Sequence, residues 1–135
     1  DDMYFTTRRW DDILSESCER RYISWGDDGK FGPNLCTSFF LGGDLARHLG
    51  FIAYPEFGHL YVDAFWWSIA RGAGIGRYRP DVKYHHRKEI DQTLRERQIG
   101  GDMQKFDMLR TTVIPELIRR VALYVHGESR AAMYG

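Results

Sequence analysis

Clusters of Gly, Pro, Asp and Asn cut this chain into short pieces, and that punctuation constrains its fold more than any single motif. No apolar piece between the breaks is long enough to cross a bilayer; "YVDAFWW" and "VALYV" are the longest. The pieces alternate in character. "DDMYFTT" (1–7) reads as the end of a strand running into a loop, and "RRWDDILSESCERR" (8–21) puts Trp10, Ile13, Leu14 and Cys18 at helical spacing. "RYISW" (21–25) is a short strand, "GDDGKFGPN" (26–34) a loop, and "LCTSFFL" (35–41) an apolar run of strand length. "GGDLARHLG" (42–50) is a turn into a short helix, with Asp44 as N-cap and Gly50 as stop. "FIAYPEFGH" (51–59) is a loop, "LYVDAFWWSIARGAG" (60–74) a helix ended by glycines, and "IGRYRPDVKYHH" (75–86) a strand broken at Pro80. "KEIDQTLRERQ" (88–98) is a charged helix; after "GGD" one or two more follow, kinked at Pro115, and then a loose tail. The order is strand, helix, strand, loop, strand, helix, helix, strand, helices, which predicts a mixed α/β fold with a helical C-terminal extension.

Composition narrows the class. With 135 residues, 43% of them hydrophobic, the chain can bury a real core. Lys plus Arg and Asp plus Glu number 19 each, which argues against a nucleic-acid binder working through bulk charge. Cys18 and Cys36 stand apart with no CxxC spacing and read as two reduced thiols of a cytoplasmic protein.

Five groups of residues can carry chemistry. Asp1 and Asp2, at a strand end, suit a hard divalent cation, although by themselves they read first as a solvated terminus. Asp63 opens a helix four residues after His59, among Tyr61, Phe65, Trp66 and Trp67. The helix dipole accounts for an acid there, but partial burial would raise its pKa toward that of a general base. Two consecutive Trp cannot both face one core, so one is free for a groove, where an aromatic face suits a sugar ring. His85 and His86 point to opposite faces of their strand, so one of them can reach a given site. "GDDGKFGPN" lacks the ligand spacing of an EF-hand and is a tight turn or a loop over a site. Gly42, Gly43 and Asp44 form a turn that lets a ligand approach backbone, without the spacing of a phosphate-binding loop.

Taken in order, "DDMYFTTRRWDDIL", "GDDGKFGPNLCTSFFLGGDLARHLG", "FGHLYVDAFWW" and "RYRPDVKYHH" resemble the second half of a GT-A-fold, family 2-like glycosyltransferase, a nucleotide-diphospho-sugar transferase of the kind found in bacteria and phages. The resemblance spans residues 1 to about 90, and "FGHLYVD" with its following Trp is its most specific part. It implies a Rossmann-like mixed sheet, with 1–90 as an acceptor and metal half-domain and 91–135 as a helical extension. It assigns Asp1, Asp2 and His85 to a manganese or magnesium ion, and Asp63 to the catalytic base of an inverting transfer from a nucleotide-diphosphate sugar to an acceptor hydroxyl. Gly42, Gly43, Asp44, His59, Tyr61, Trp66 and Trp67 fall on the acceptor side. Relatives often carry a second His two positions after the first, where this chain has Arg87. The first strands and the nucleoside pocket of such enzymes would precede Asp1, so the expected activity is that of a chain completed upstream by about 70–100 residues. The alternatives are a non-catalytic carbohydrate-binding or homo-oligomerising module on the same core, and a metal-dependent hydrolase using Asp1, Asp2, His85 and His86.

Overall fold

A computed structural model describes residues 3–55, 57, 61–86 and 92–127, with side chains for all of these except 86 and 92–100. The fold is mixed α/β, as the alternation predicts. Strands β1 (Met3–Phe5), β2 (Ile23–Asp27), β3 (Phe40–Leu41) and β4 (Gly76–His86) form one sheet in the order β1-β4-β2-β3. β2 and β4 run parallel, and β1 and β3 add antiparallel at the two edges. The helices are α1 (Trp10–Cys18), α2 (Gly43–Leu49), α3 (Val62–Ala73), α4 (Gln92–Thr111) and α5 (Val113–His126). None is long and apolar enough to cross a membrane, among the described residues.

The two faces of the sheet carry different cores. On β2, Ile23 and Trp25 pack toward α3 and α5, joining Phe65, Trp66, Ile69, Leu117 and Val121. Ser24 points the other way and donates its hydroxyl to the Leu14 carbonyl on α1. There Leu14, Val82 and Tyr84 make a second, smaller core with Met3, Phe5 and Trp10. Phe5 and Trp10 stack at 3.7 Å, which closes β1 onto the start of α1. α5 shares the larger core through Ile114, Leu117, Val121 and Ala122, so the C-terminal helix covers α3.

Pro80 does not end its strand. It sits in an irregular stretch: Gly26 pairs with Arg79, but the next β2 residue, Asp27, pairs with Lys83. β2 advances one residue while β4 advances four, so three residues are extra. An odd insertion reverses which side chains face which way. Before it Tyr78 packs on Trp25; after it Val82 and Tyr84 lie under α1, while Lys83 turns to Asp27. Gly26 permits this fold-over, because a Cβ there would lie 2.5 Å from the Val82 carbonyl oxygen.

Four local expectations change. "LCTSFFL" contributes two strand residues rather than seven, since Thr37 and Ser38 form a turn, with Ser38 at φ 46°. Gly42, not Asp44, is the N-cap of α2; Asp44 sits in the first turn and pairs with Arg20 at 2.7 Å. Gly42 is required there, because a Cβ would meet the Arg20 carbonyl oxygen at 2.3 Å. Gly100 and Gly101 lie inside α4, and the chain breaks at Thr112 rather than at Pro115. Pro115 falls in the first turn of α5, where a missing N–H costs no helical bond.

Candidate functional site

The parallel pair β2 and β4 defines an edge. In α/β sheets the carboxyl ends of parallel strands are where connecting loops gather around a ligand. At that edge stand the loop after β2, the end of β4 and the start of α3. α3 runs away from it, reaching the opposite edge at Gly74 (φ 67°), after which the Ile75 carbonyl accepts the Ile23 N–H at 3.0 Å.

The loop is built around Asp28, 5% exposed. Its Oδ1 accepts three backbone N–H groups, from Lys30 at 2.9 Å, Phe31 at 2.7 Å and Gly32 at 3.1 Å. Its Oδ2 accepts the Thr37 hydroxyl at 2.9 Å. Burial works to raise the pKa of this carboxyl, but the three amides and the hydroxyl outweigh it and hold it below the usual range. Two indoles pin the same loop from outside: Trp25 Nε1 donates to the Gly32 carbonyl at 3.0 Å and Trp67 Nε1 to the Pro33 carbonyl at 3.1 Å. This loop is braced on all sides.

Behind it the Tyr84 hydroxyl sits 3.0 Å from Thr37 Oγ1 and donates to the Thr37 carbonyl. Burial pushes this phenol up to about 12, so it stays protonated as a structural donor. Among the described residues no buried side-chain nitrogen or oxygen lacks a partner.

Asp63 lies in the first turn of α3, half-buried, and accepts the Ala64 N–H at 2.8 Å through Oδ1. Burial lifts its carboxyl above the usual range; the amide bonds oppose this and the charge of Asp28 adds to it. Cys36 ties this turn to the loop, its thiol donating to the Asp63 carbonyl oxygen at 3.3 Å. Burial, reinforced by Asp63, pushes the Cys36 thiol up and keeps it unreactive.

The Trp pair divides as its spacing demands. Trp66 is fully enclosed, its Nε1 donating to the Ile52 carbonyl at 2.7 Å, so it belongs to the core and presents no wall to an acceptor. Trp67 is half-buried and reaches the surface beside Pro33, one helical turn along from Asp63. Tyr61 precedes α3 in a left-handed conformation (φ 68°) and stacks on Phe106 of α4 at 5.3 Å.

His85 is exposed at the end of β4. It pairs across the sheet with Tyr4, their rings 5.6 Å apart, and its Nδ1 lies 4.0 Å from where a Cβ on Gly29 would stand. Beside it Lys83 and Asp27 form an ion pair at 2.7 Å, which with the Gly29 N–H holds Asp27 below the usual carboxylate range. Asp1, Asp2 and His59 lie outside the described residues. Met3 pairs with His86, so β1 begins at this same edge. Among the described residues no three His, Cys, Asp or Glu side chains converge on one point. Asp27 and Asp28 are committed to Lys83 and to the loop amides.

Gly42, Gly43 and Asp44 stand at the opposite edge. Gly42 N donates to the Tyr22 carbonyl at 2.9 Å, and Asp44 is gripped by Arg20, with Arg47 at 3.7 Å. The structure does not bring this turn beside Asp63. It brings in Thr37 and Lys83, which the motifs had not singled out, and gives Asp28 of "GDDGKFGPN" the central place in its loop. The sequence signal was "DDG", in which the second Asp precedes a Gly-containing stretch able to fold its amides back onto a carboxylate.

No family model, no curated protein and no solved structure matches this chain.

Proposed function

We propose that the chain carries the acceptor side of an inverting, metal-dependent glycosyltransferase acting on a nucleotide-diphosphate sugar. The observation that supports this reading best is the placement of Asp63. It is a half-buried carboxyl above the usual pKa range, at the strand-end edge, with the accessible indole of Trp67 one turn along the helix. In this reading Asp63 accepts the proton of an acceptor hydroxyl as that oxygen attacks the anomeric carbon. Trp67 receives the acceptor ring, and the braced Asp28 loop keeps the indole in place. Asp1, Asp2 and His85 would hold a Mn²⁺ or Mg²⁺ ion, which neutralises charge on the departing nucleoside diphosphate.

The test is the chain, joined to the upstream segment that this reading requires for its nucleoside pocket, supplied with Mn²⁺ and a panel of nucleotide sugars, with nucleoside diphosphate release and calorimetric binding as readouts. The expected result is release that depends on the metal and falls about 10²-fold or more in Asp63→Asn while nucleotide binding persists. Unchanged release by Asp63→Asn, or no nucleotide binding by the wild-type chain, overturns it. The accessible Trp67 also favours a second reading, a carbohydrate-binding module without catalysis. Saccharide binding without nucleotide binding selects it.

A further inference from the structure

The outer face of α3 carries a stripe that continues past the proposed base. Asp63, Trp67 and Arg71 follow at intervals of four, so each is one helical turn from the next, the row drifting about 80° around the helix; all three are less enclosed than Phe65, Trp66, Ile69 and Ala70. The Arg71 guanidinium stands over the Trp67 ring, 5.3 Å from its centroid. The indole Nε1 donates to the Pro33 carbonyl at 3.1 Å, which favours this orientation of the ring. Arg71 is exposed and makes no ion pair among the described residues, unlike Arg9, Arg20, Arg79, Arg110 and Arg119. The helix dipole favours a cation in this last turn. It does not account for a guanidinium held over an aromatic ring with no acceptor on its N–H donors among the described residues, which leaves those donors open to an anion.

We propose that Trp67 and Arg71 form an acceptor subsite for a sugar that carries an anionic group, a carboxylate or a phosphate ester. This inference rests on the reading of Asp63 as the acceptor-side base. Eight residues of helix separate Asp63 from Arg71, which places the anionic group about 12 Å along the helix from the reacting hydroxyl. The acceptor is therefore longer than one sugar unit. Its ring lies beside the indole of Trp67, on the part of it that Arg71 does not cover, and its anion accepts two N–H bonds from Arg71.

The experiment titrates the chain with trigalacturonate and with its methyl-esterified, neutral form, and separately with glucose 6-phosphate and glucose. Intrinsic tryptophan fluorescence is followed, with Trp67→Phe used to assign the signal. The carboxylate or the phosphate form should bind roughly tenfold more tightly than its neutral counterpart at low salt. Whichever arm shows the preference names the source of the anion. Arg71→Gln should erase that preference, Arg119→Gln should leave it intact, and about 0.5 M salt should reduce it, since the pair is exposed to solvent and the Debye length is shorter than at physiological ionic strength. Equal binding of charged and neutral forms, a preference that survives Arg71→Gln, or no saccharide binding at all overturns the proposal. Failure of the transferase reading is seen separately. Anionic saccharide bound without any nucleotide binding sinks that reading and keeps the subsite. Transfer to neutral acceptors that is indifferent to Arg71→Gln does the reverse.

Discussion

Asp28 and Asp63 are acids at one edge of one sheet, joined through the adjacent residues Thr37 and Cys36, yet their surroundings drive them in opposite directions. Asp28 is the more enclosed, but it faces three amides and a hydroxyl, and its charge is the centre of the loop. Burial disfavours the ionised form of Asp63, the charge of Asp28 adds to this, and the amides of Ala64 and of Asp63 itself oppose it too weakly. Burial alone does not decide what a carboxyl can do; the number of donors aimed at it does. An acid held so firmly as Asp28 is spent on structure, whereas one held loosely at the same edge is able to take a proton.

The contrast can be broken most forcefully at Asp28. Asp28→Ala leaves three amides and a hydroxyl turned toward nothing, and should cost about 3–5 kcal/mol in urea denaturation. A loss below about 1 kcal/mol would mean that the loop holds its shape without the carboxylate. Thr37→Val removes one donor and a partner of Tyr84 while keeping the volume, and should cost roughly 1–3 kcal/mol. Thr37→Ser should recover most of it.

The comparison sharpens in the pH dependence of stability. The folded pKa of Asp28 is lowered, so its contribution is present above the unfolded carboxylate value and lost as pH falls through the folded one. The folded pKa of Asp63 is raised, so its contribution is present below the unfolded value and lost as pH rises through the folded one. Stability curves for Asp28→Asn should therefore lose part of the acid-side decline. Those for Asp63→Asn should lose part of the decline that begins above the ordinary carboxylate range, and near neutral pH that variant should be as stable as wild type or more so. Identical curves for the two variants would end the comparison.

The smallest effect is expected at the far edge. Arg20 and Asp44 pair closely but stand mostly in water, so a double-mutant cycle on them should find a coupling that fades with added salt. A coupling as large as the loss at Thr37 would show that the α2 turn is a braced element like the Asp28 loop.

The residues of α3 were the most readable part of this chain. Apolar positions at 65, 66, 69, 70 and 73, a closing Gly74 and an acid in the first turn are local facts of periodicity and capping. They placed Asp63 at the mouth of a helix and told the two Trp apart in principle. The alternation of extended and helical pieces gave the mixed α/β class for the same reason. The stretch 35–41 was misleading, because an apolar run of strand length carries no sign that Cys36 and Thr37 will bond to residues 27 and 9 positions away.

What the sequence determined by itself is therefore local: which segments twist into helices, where they stop, and which residues share a helix face. Those properties come from bonds and packing within a few residues of one another. Only the tertiary structure decided that Pro80 would reverse the faces of β4 instead of ending it, that Asp28 would be a buried brace and Asp44 a surface pair. Only it set Asp63 beside the Asp28 loop with its carboxyl lifted. Each of these depends on where long-range partners bring donors, charges and solvent, and no spacing along the chain encodes that distance.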